Sequence, residues 1–182
     1  MSKIKNRVVA LFAALILAAG VAVAAPAASD QADYSARLGN QVRKQLVTLP
    51  YYGVFDNLAY EVNGDTVVLS GQVTRPSTRK DAERRVAKIE GVERVVNNIQ
   101  VLPVSPNDDR IRVRTYRAVF RSGGLYRYAM GANPSIHIIV NRGHVTLEGV
   151  VSNRMDSQLA YMAANGVPGV FSVKNNLRVE RD

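Results

Sequence analysis

One stretch of this sequence occurs twice, and that limits the folds open to the chain more than any other feature. Residues 62–101 and 140–179 align without a gap at a constant shift of 78, with 13 of 40 positions identical. Unrelated stretches of ordinary composition would share about two or three. The shared residues are Val, Leu, Gly, Asn and a single Ala, the types that fill cores, close turns and bend strands. None is charged or nucleophilic. The chain therefore reads as a duplicated fold, two small modules within 182 residues, with no reaction centre in the repeat.

The hydrophobic period changes in the same order in each copy. Leu38, Val42, Leu46 and Leu49 recur at helical spacing among Arg37, Asn40, Gln41, Arg43 and Lys44, which predicts an amphipathic helix ended by Pro50. Leu58, Tyr60 and Val62, then Val67, Leu69, Gly71 and Val73, alternate as strands. The Asn63-Gly64 pair between them has the composition of a type I′ hairpin turn. Ala82, Val86 and Ile89 return to helical spacing, and Val92, Val95, Ile99 and Val101 form a last strand. The expectation is α+β: two tandem αββαβ modules, each a three-stranded mixed sheet with two helices packed on one face. The first module spans 36–102, a Pro-containing linker 103–107, and the second module 108–182, with Asn107 or Asp108 capping its first helix. Modules of about 70 residues have marginal cores, so the two are expected to lean on each other.

Ahead of the modules, residues 1–24 read as a cleaved signal peptide. Lys3, Lys5 and Arg7 precede an apolar run over 8–23, and Ala22-Val23-Ala24 supplies a small-x-small cleavage site. Residues 25–35, small and polar, are expected to be a flexible lead-in. The net charge is +9, and removal of the leader leaves about +6. Cysteine is absent, so neither a disulfide nor a lipid-modified cysteine is available. These features predict a soluble periplasmic protein that is not a lipoprotein, and export removes nucleic acid as a partner.

The motif V-x-L-x-G-x-V, then a helix, then G-V-x-x-V-x-N-x-I/L-x-V, is present as Val67/Leu69/Gly71/Val73 with Gly91/Val92/Val95/Asn97/Ile99/Val101. It recurs as Val145/Leu147/Gly149/Val151 with Gly169/Val170/Val173/Asn175/Leu177/Val179. In these residues the chain resembles the BON domain family, and specifically its tandem periplasmic members. The resemblance implies the αββαβ fold, a periplasmic location, and a binding role at phospholipid surfaces in envelope maintenance or osmotic stress. It implies no enzymatic activity.

The candidate site comes from what fails to match between the copies. With Leu38/Val42/Leu46 laid on Ile111/Thr115/Val119, Arg110, Arg114, Arg117 and Arg121 fall on one cationic ridge. Beside the ridge lie Val113, Tyr116 and Phe120, where the first module has Asn40, Arg43 and Val47. The segment that follows is longer than its counterpart and adds Leu125, Tyr126, Arg127 and Tyr128. Arginines bordered by aromatics suit an anionic phospholipid surface. A plainer reading packs Val113, Tyr116 and Phe120 against the first module and leaves the arginines merely solvated; in a further one the protein is an adaptor or chaperone-like factor that uses Val113, Tyr116 and Phe120 or a strand edge to hold an envelope protein partner. His137 and His144, with Glu148 nearby, lack a further placed ligand, so neither a metal nor another cofactor is expected. No Ser or His stands in a nucleophilic setting, and the Asn97-Asn98 and Asn175-Asn176 pairs are expected to serve bulges or turns.

Overall fold

A computed structural model describes residues 28–131 and 133–180. The leader expected over 1–24 lies outside them. In order, the elements are α1 (Ala28–Val47), β1 (Asn57–Asn63), β2 (Thr66–Val73), α2 (Pro76–Val86), β3 (Arg94–Asn97) and β4 (Gln100–Val101) of the first module. The second follows with α3 (Pro106–Arg121), a 3-10 turn (Leu125–Ala129), β5 (Ile136–Asn141), β6 (His144–Val151), α4 (Arg154–Asn165) and β7 (Ser172–Val179). In the first sheet β2 is central, antiparallel to β1 and parallel to β3 and β4. In the second, β6 lies between antiparallel β5 and parallel β7. The α+β architecture of two tandem modules is as the periodicity predicts.

The repeated residues turn out to be the ones that hold each module together. Val67, Leu69 and Val73, and their equivalents Val145, Leu147 and Val151, are enclosed in the two cores. Gly71 and Gly149 are repeated for a steric reason. Their φ values are +116° and +117°, and a Cβ would lie 2.1 Å from the Asn57 carbonyl oxygen or 2.0 Å from that of Ser135. Asn97 and Asn175 tie the last strand of each module to its second helix. Their amides donate to the backbone oxygens of Arg79 (3.1 Å) and Ser157 (3.2 Å), and each Oδ1 accepts the amide two residues on.

Three local expectations are corrected. α1 begins at Ala28, inside the segment expected as a lead-in; its early part is anchored by Tyr34, whose hydroxyl donates to the Gly91 carbonyl at 3.1 Å. The first hairpin turns on Gly64-Asp65, with positive φ at Gly64 alone, which is the φ pattern of a II′ turn. Positive φ at both centre residues occurs instead in the second hairpin, at Arg142 (51°) and Gly143 (80°). The cap of α3 is Ser105, whose Oγ accepts the Asp108 amide at 3.2 Å. Asp108 is buried and accepts the amides of Arg142 (2.8 Å) and Gly143 (2.9 Å), which supports that strained turn.

The modules meet through the loop after α1. Asp56, buried, braces this loop by accepting from the amides of Gly53 (3.2 Å) and Thr74 (2.6 Å) and from the Thr74 hydroxyl. Ile138 N donates to the Val54 carbonyl at 2.7 Å, which pairs the loop with the free edge of β5. Tyr52 stacks on His137 with 5.5 Å between ring centroids, and His137 Nδ1 lies 3.2 Å from the Gly53 carbonyl. Burial pushes the Tyr52 hydroxyl up to about 12 and lowers the His137 imidazole below its usual value. Val54 and Phe55 of the first module pack against the core of the second.

Candidate interfacial site

The orientation of α3 is set by groups that local periodicity does not flag. Ile111, Thr115 and Val119 face the core at 1% exposure or less. Arg112 also turns inward: it is 5% exposed, donates to the Val140 carbonyl at 2.8 Å and pairs with Asp109. With Asp108 on the hairpin and Arg112 on β5, the helix is fixed in rotation, and Arg110, Arg114, Arg117 and Arg121 point to solvent. Arg114 reaches the Pro168 carbonyl at 3.4 Å. Among the described residues the ion pairs engage Arg84, Arg112 and Arg127, none of them on the ridge. Four cations thus lie along one helix without a carboxylate among the described residues to neutralise them.

The apolar flank has two fates. Phe120 is 7% exposed and Tyr116 is half-buried, their rings 4.8 Å apart, and Phe55 of the first module meets Tyr116 edge-on at 6.3 Å. This part of the flank is therefore covered by the first module. Val113 (41% exposed) and Tyr126 (64% exposed) remain open to solvent. Between them runs a groove of about 770 Å³ whose walls are Val54, Phe55, Val113, Tyr116, Phe120, Tyr126 and Ala129, rimmed by Arg117 and Arg121. The wall contributed by Val54 and Phe55 was not foreseen, because nothing in those two residues reveals which distant surface they reach.

The segment after α3 is mostly structural, which corrects the grouping of Leu125 and Tyr128 with the surface contacts. Leu125 (0% exposed) and Tyr128 (8%) belong to the core. The Tyr128 hydroxyl donates to Asp156 at 2.6 Å and accepts the Ser152 amide at 2.9 Å. Arg127 pairs with the same carboxylate, and its hydrogen bonds to Tyr128 and Asp156 raise its pKa further. A buried carboxylate at the start of α4 needs such partners. The residues of this 3-10 turn thus divide between the enclosed Leu125 and Tyr128, the exposed Tyr126, and Arg127, which is exposed but paired back to Asp156.

His137 and Glu148 are paired across β5 and β6, Glu148 accepting from Asn176 at 2.6 Å, while His144 contacts the Ser172 hydroxyl at 2.7 Å. Among the described residues no three His, Cys, Asp or Glu groups converge on a point where a metal ion would sit. No helix of the described residues is long and apolar enough to cross a membrane.

A family profile described as "BON domain" matches residues 36–103 and again 107–181. No curated protein sequence matches the chain at a significant level. Two solved structures of CdsD, described as a structural protein of the type III secretion system of Chlamydia trachomatis, are similar to parts of it. The C-terminal domain of CdsD is 11% identical, covering 79% of this chain and 98% of its own, with a TM-score of 0.32. The second is 12% identical, covering 78% and 91% respectively, with a TM-score of 0.29.

Proposed function

The chain belongs to the BON domain family, whose members are typically periplasmic or envelope-associated and which is not a known enzyme family, and on that premise we propose that it associates with anionic phospholipid at an envelope membrane surface. The contact is α3 of the second module with the groove beside it. Arg110, Arg114, Arg117 and Arg121 bind phosphate groups, and Val113 and Tyr126 enter the headgroup layer. The observation that carries this reading is the row of four uncompensated arginines bordering an apolar groove, on the one helix where the two modules differ in this way. An arginine fork fits a phosphate through two parallel hydrogen bonds. Each basic residue near an anionic leaflet contributes about 1 kcal/mol, so four amount to micromolar binding or better only when apolar insertion adds to them. The ridge and the groove are therefore both required.

Co-sedimentation with vesicles tests this. Binding to anionic vesicles that weakens with salt, and weakens again in Arg114→Glu/Arg117→Glu, supports the reading. Equal binding to zwitterionic vesicles at high salt removes its electrostatic basis. The other reading, an adaptor whose groove takes an apolar segment of an envelope protein, predicts instead a complex that survives detergent.

A further inference from the structure

The two copies differ in a second place, on the outer side of the second helix. α4 lies beside α3 and antiparallel to it: Gly123, just after α3, faces the Leu159 side chain, whereas Arg114, nearer its start, reaches Pro168 beyond the end of α4. On α4, Ala160 and Ala164 point into the core and Leu159 points to α3. The outward side is left to Met155 and Met162, two turns apart on one line. They are 76% and 60% exposed. At the matching positions of α2 the first module has Ser77 and Arg84, both exposed, with Arg84 paired to Asp81. The polar solution to this surface is therefore available to the fold, and the second module does not use it.

We infer that Met155 and Met162 form a second apolar rail that inserts into the membrane surface on the side of the arginine ridge opposite the groove. This rests on the phospholipid reading above. α3 and α4 form a single layer over the same face of the sheet, so the ridge and both methionines are presented together. The ridge then has apolar groups on both sides, as a surface lying at the headgroup–acyl boundary requires. The occupant is an anionic phospholipid leaflet, which complements the uncompensated arginines and also accepts side chains beside them without a shaped pocket. Unbranched methionines suit such a disordered partner.

The chain contains no cysteine, so single-site labelling of the full chain is clean. Met155→Cys, Met162→Cys and the first-module control Ser77→Cys each carry an environment-sensitive fluorophore and are mixed with phosphatidylglycerol–phosphatidylcholine vesicles. Co-sedimentation of the unlabelled chain is measured in parallel. The expected result is a blue shift at 155 and 162 and none at 77, together with binding weakened on the order of tenfold in Met155→Ser/Met162→Ser. If the chain sediments while probes at 155 and 162 stay water-like, the rail is overturned and the ridge-and-groove reading stands. If the unlabelled chain does not sediment, both are overturned. A shift produced by detergent-solubilised envelope proteins and not by vesicles also overturns the rail.

Discussion

Replacing Thr115 by Val is expected to stabilise the protein, and the size of the effect follows from the packing of α3. Thr115 is fully enclosed at the centre of the buried stripe, and its Oγ1 has no hydrogen-bond partner among the described residues. The matching residue of the first module is Val42, also fully enclosed. A hydroxyl withdrawn from water without a replacement bond costs about 1–3 kcal/mol. Val has nearly the same shape and a similar helix propensity, so Thr115→Val leaves neither a cavity nor an overpacked contact. The expected gain is about 1–2 kcal/mol, which for a chain of this size raises Tm by roughly 2–8 °C. Thermal and denaturant unfolding followed by circular dichroism measure it, with Cm rising and the slope m unchanged. The reciprocal change, Val42→Thr, is expected to lose a similar amount. An unchanged or lowered Tm for Thr115→Val would mean that the hydroxyl is satisfied, and the reasoning from an orphaned polar atom would fail.

Other perturbations separate structure from surface. Gly149→Ala places a Cβ against the Ser135 carbonyl at a backbone φ of +117°, so a loss of about 3 kcal/mol or more is expected in denaturant unfolding; a loss below 1 kcal/mol would show that the strand adjusts easily. Tyr128→Phe removes a hydroxyl bonded to both Asp156 and Ser152 and is expected to cost about 1–3 kcal/mol with vesicle binding unchanged, whereas a selective loss of binding would return Tyr128 to the interface. Burial lowers the His137 pKa in the fold, so the unfolded chain takes up the proton first. The contribution of neutral His137 is accordingly complete above the unfolded value of about 6.5 and declines as pH falls below it toward the depressed folded value. Stability measured between neutral and mildly acidic pH should therefore fall less steeply in His137→Gln than in the parent, and parallel curves would count against a buried neutral histidine.

Much of the fold was legible because it is written in short-range patterns. The shift of 78 carries β2 onto β6, α2 onto α4 and the last strand onto β7 without adjustment, and the identities mark core, close-approach and strand–helix tie positions. The ridge was legible for the same reason, since helical spacing assigns Arg110, Arg114, Arg117 and Arg121 to one side. Contacts between parts distant in sequence were not. Nothing local to Val54 and Phe55 says that they close a groove on the second module, or that Asp108 leaves the helix end to hold the turn at Arg142-Gly143. The aromatic segment was misread in part because Leu125 and Tyr128 alternate with Tyr126, and only the fold tells which of them is enclosed. The methionines on α4 had a signal available. The same superposition that isolated the ridge sets Met155 and Met162 against Ser77 and Arg84.

The central claim is that the second module binds anionic phospholipid through a cationic ridge beside an apolar groove. Vesicle binding of the whole chain across a salt series, parent against Arg114→Glu/Arg117→Glu, tests it most directly. Reversing two of the four ridge charges removes about four units of favourable charge at the surface, roughly 4 kcal/mol at about 1 kcal/mol each, or on the order of a thousandfold in affinity at low salt. The account predicts binding to anionic vesicles that declines with salt, a variant that no longer binds at low salt, and an unchanged unfolding midpoint. A variant that binds as well as the parent, or parent binding indifferent to salt and headgroup charge, would contradict it.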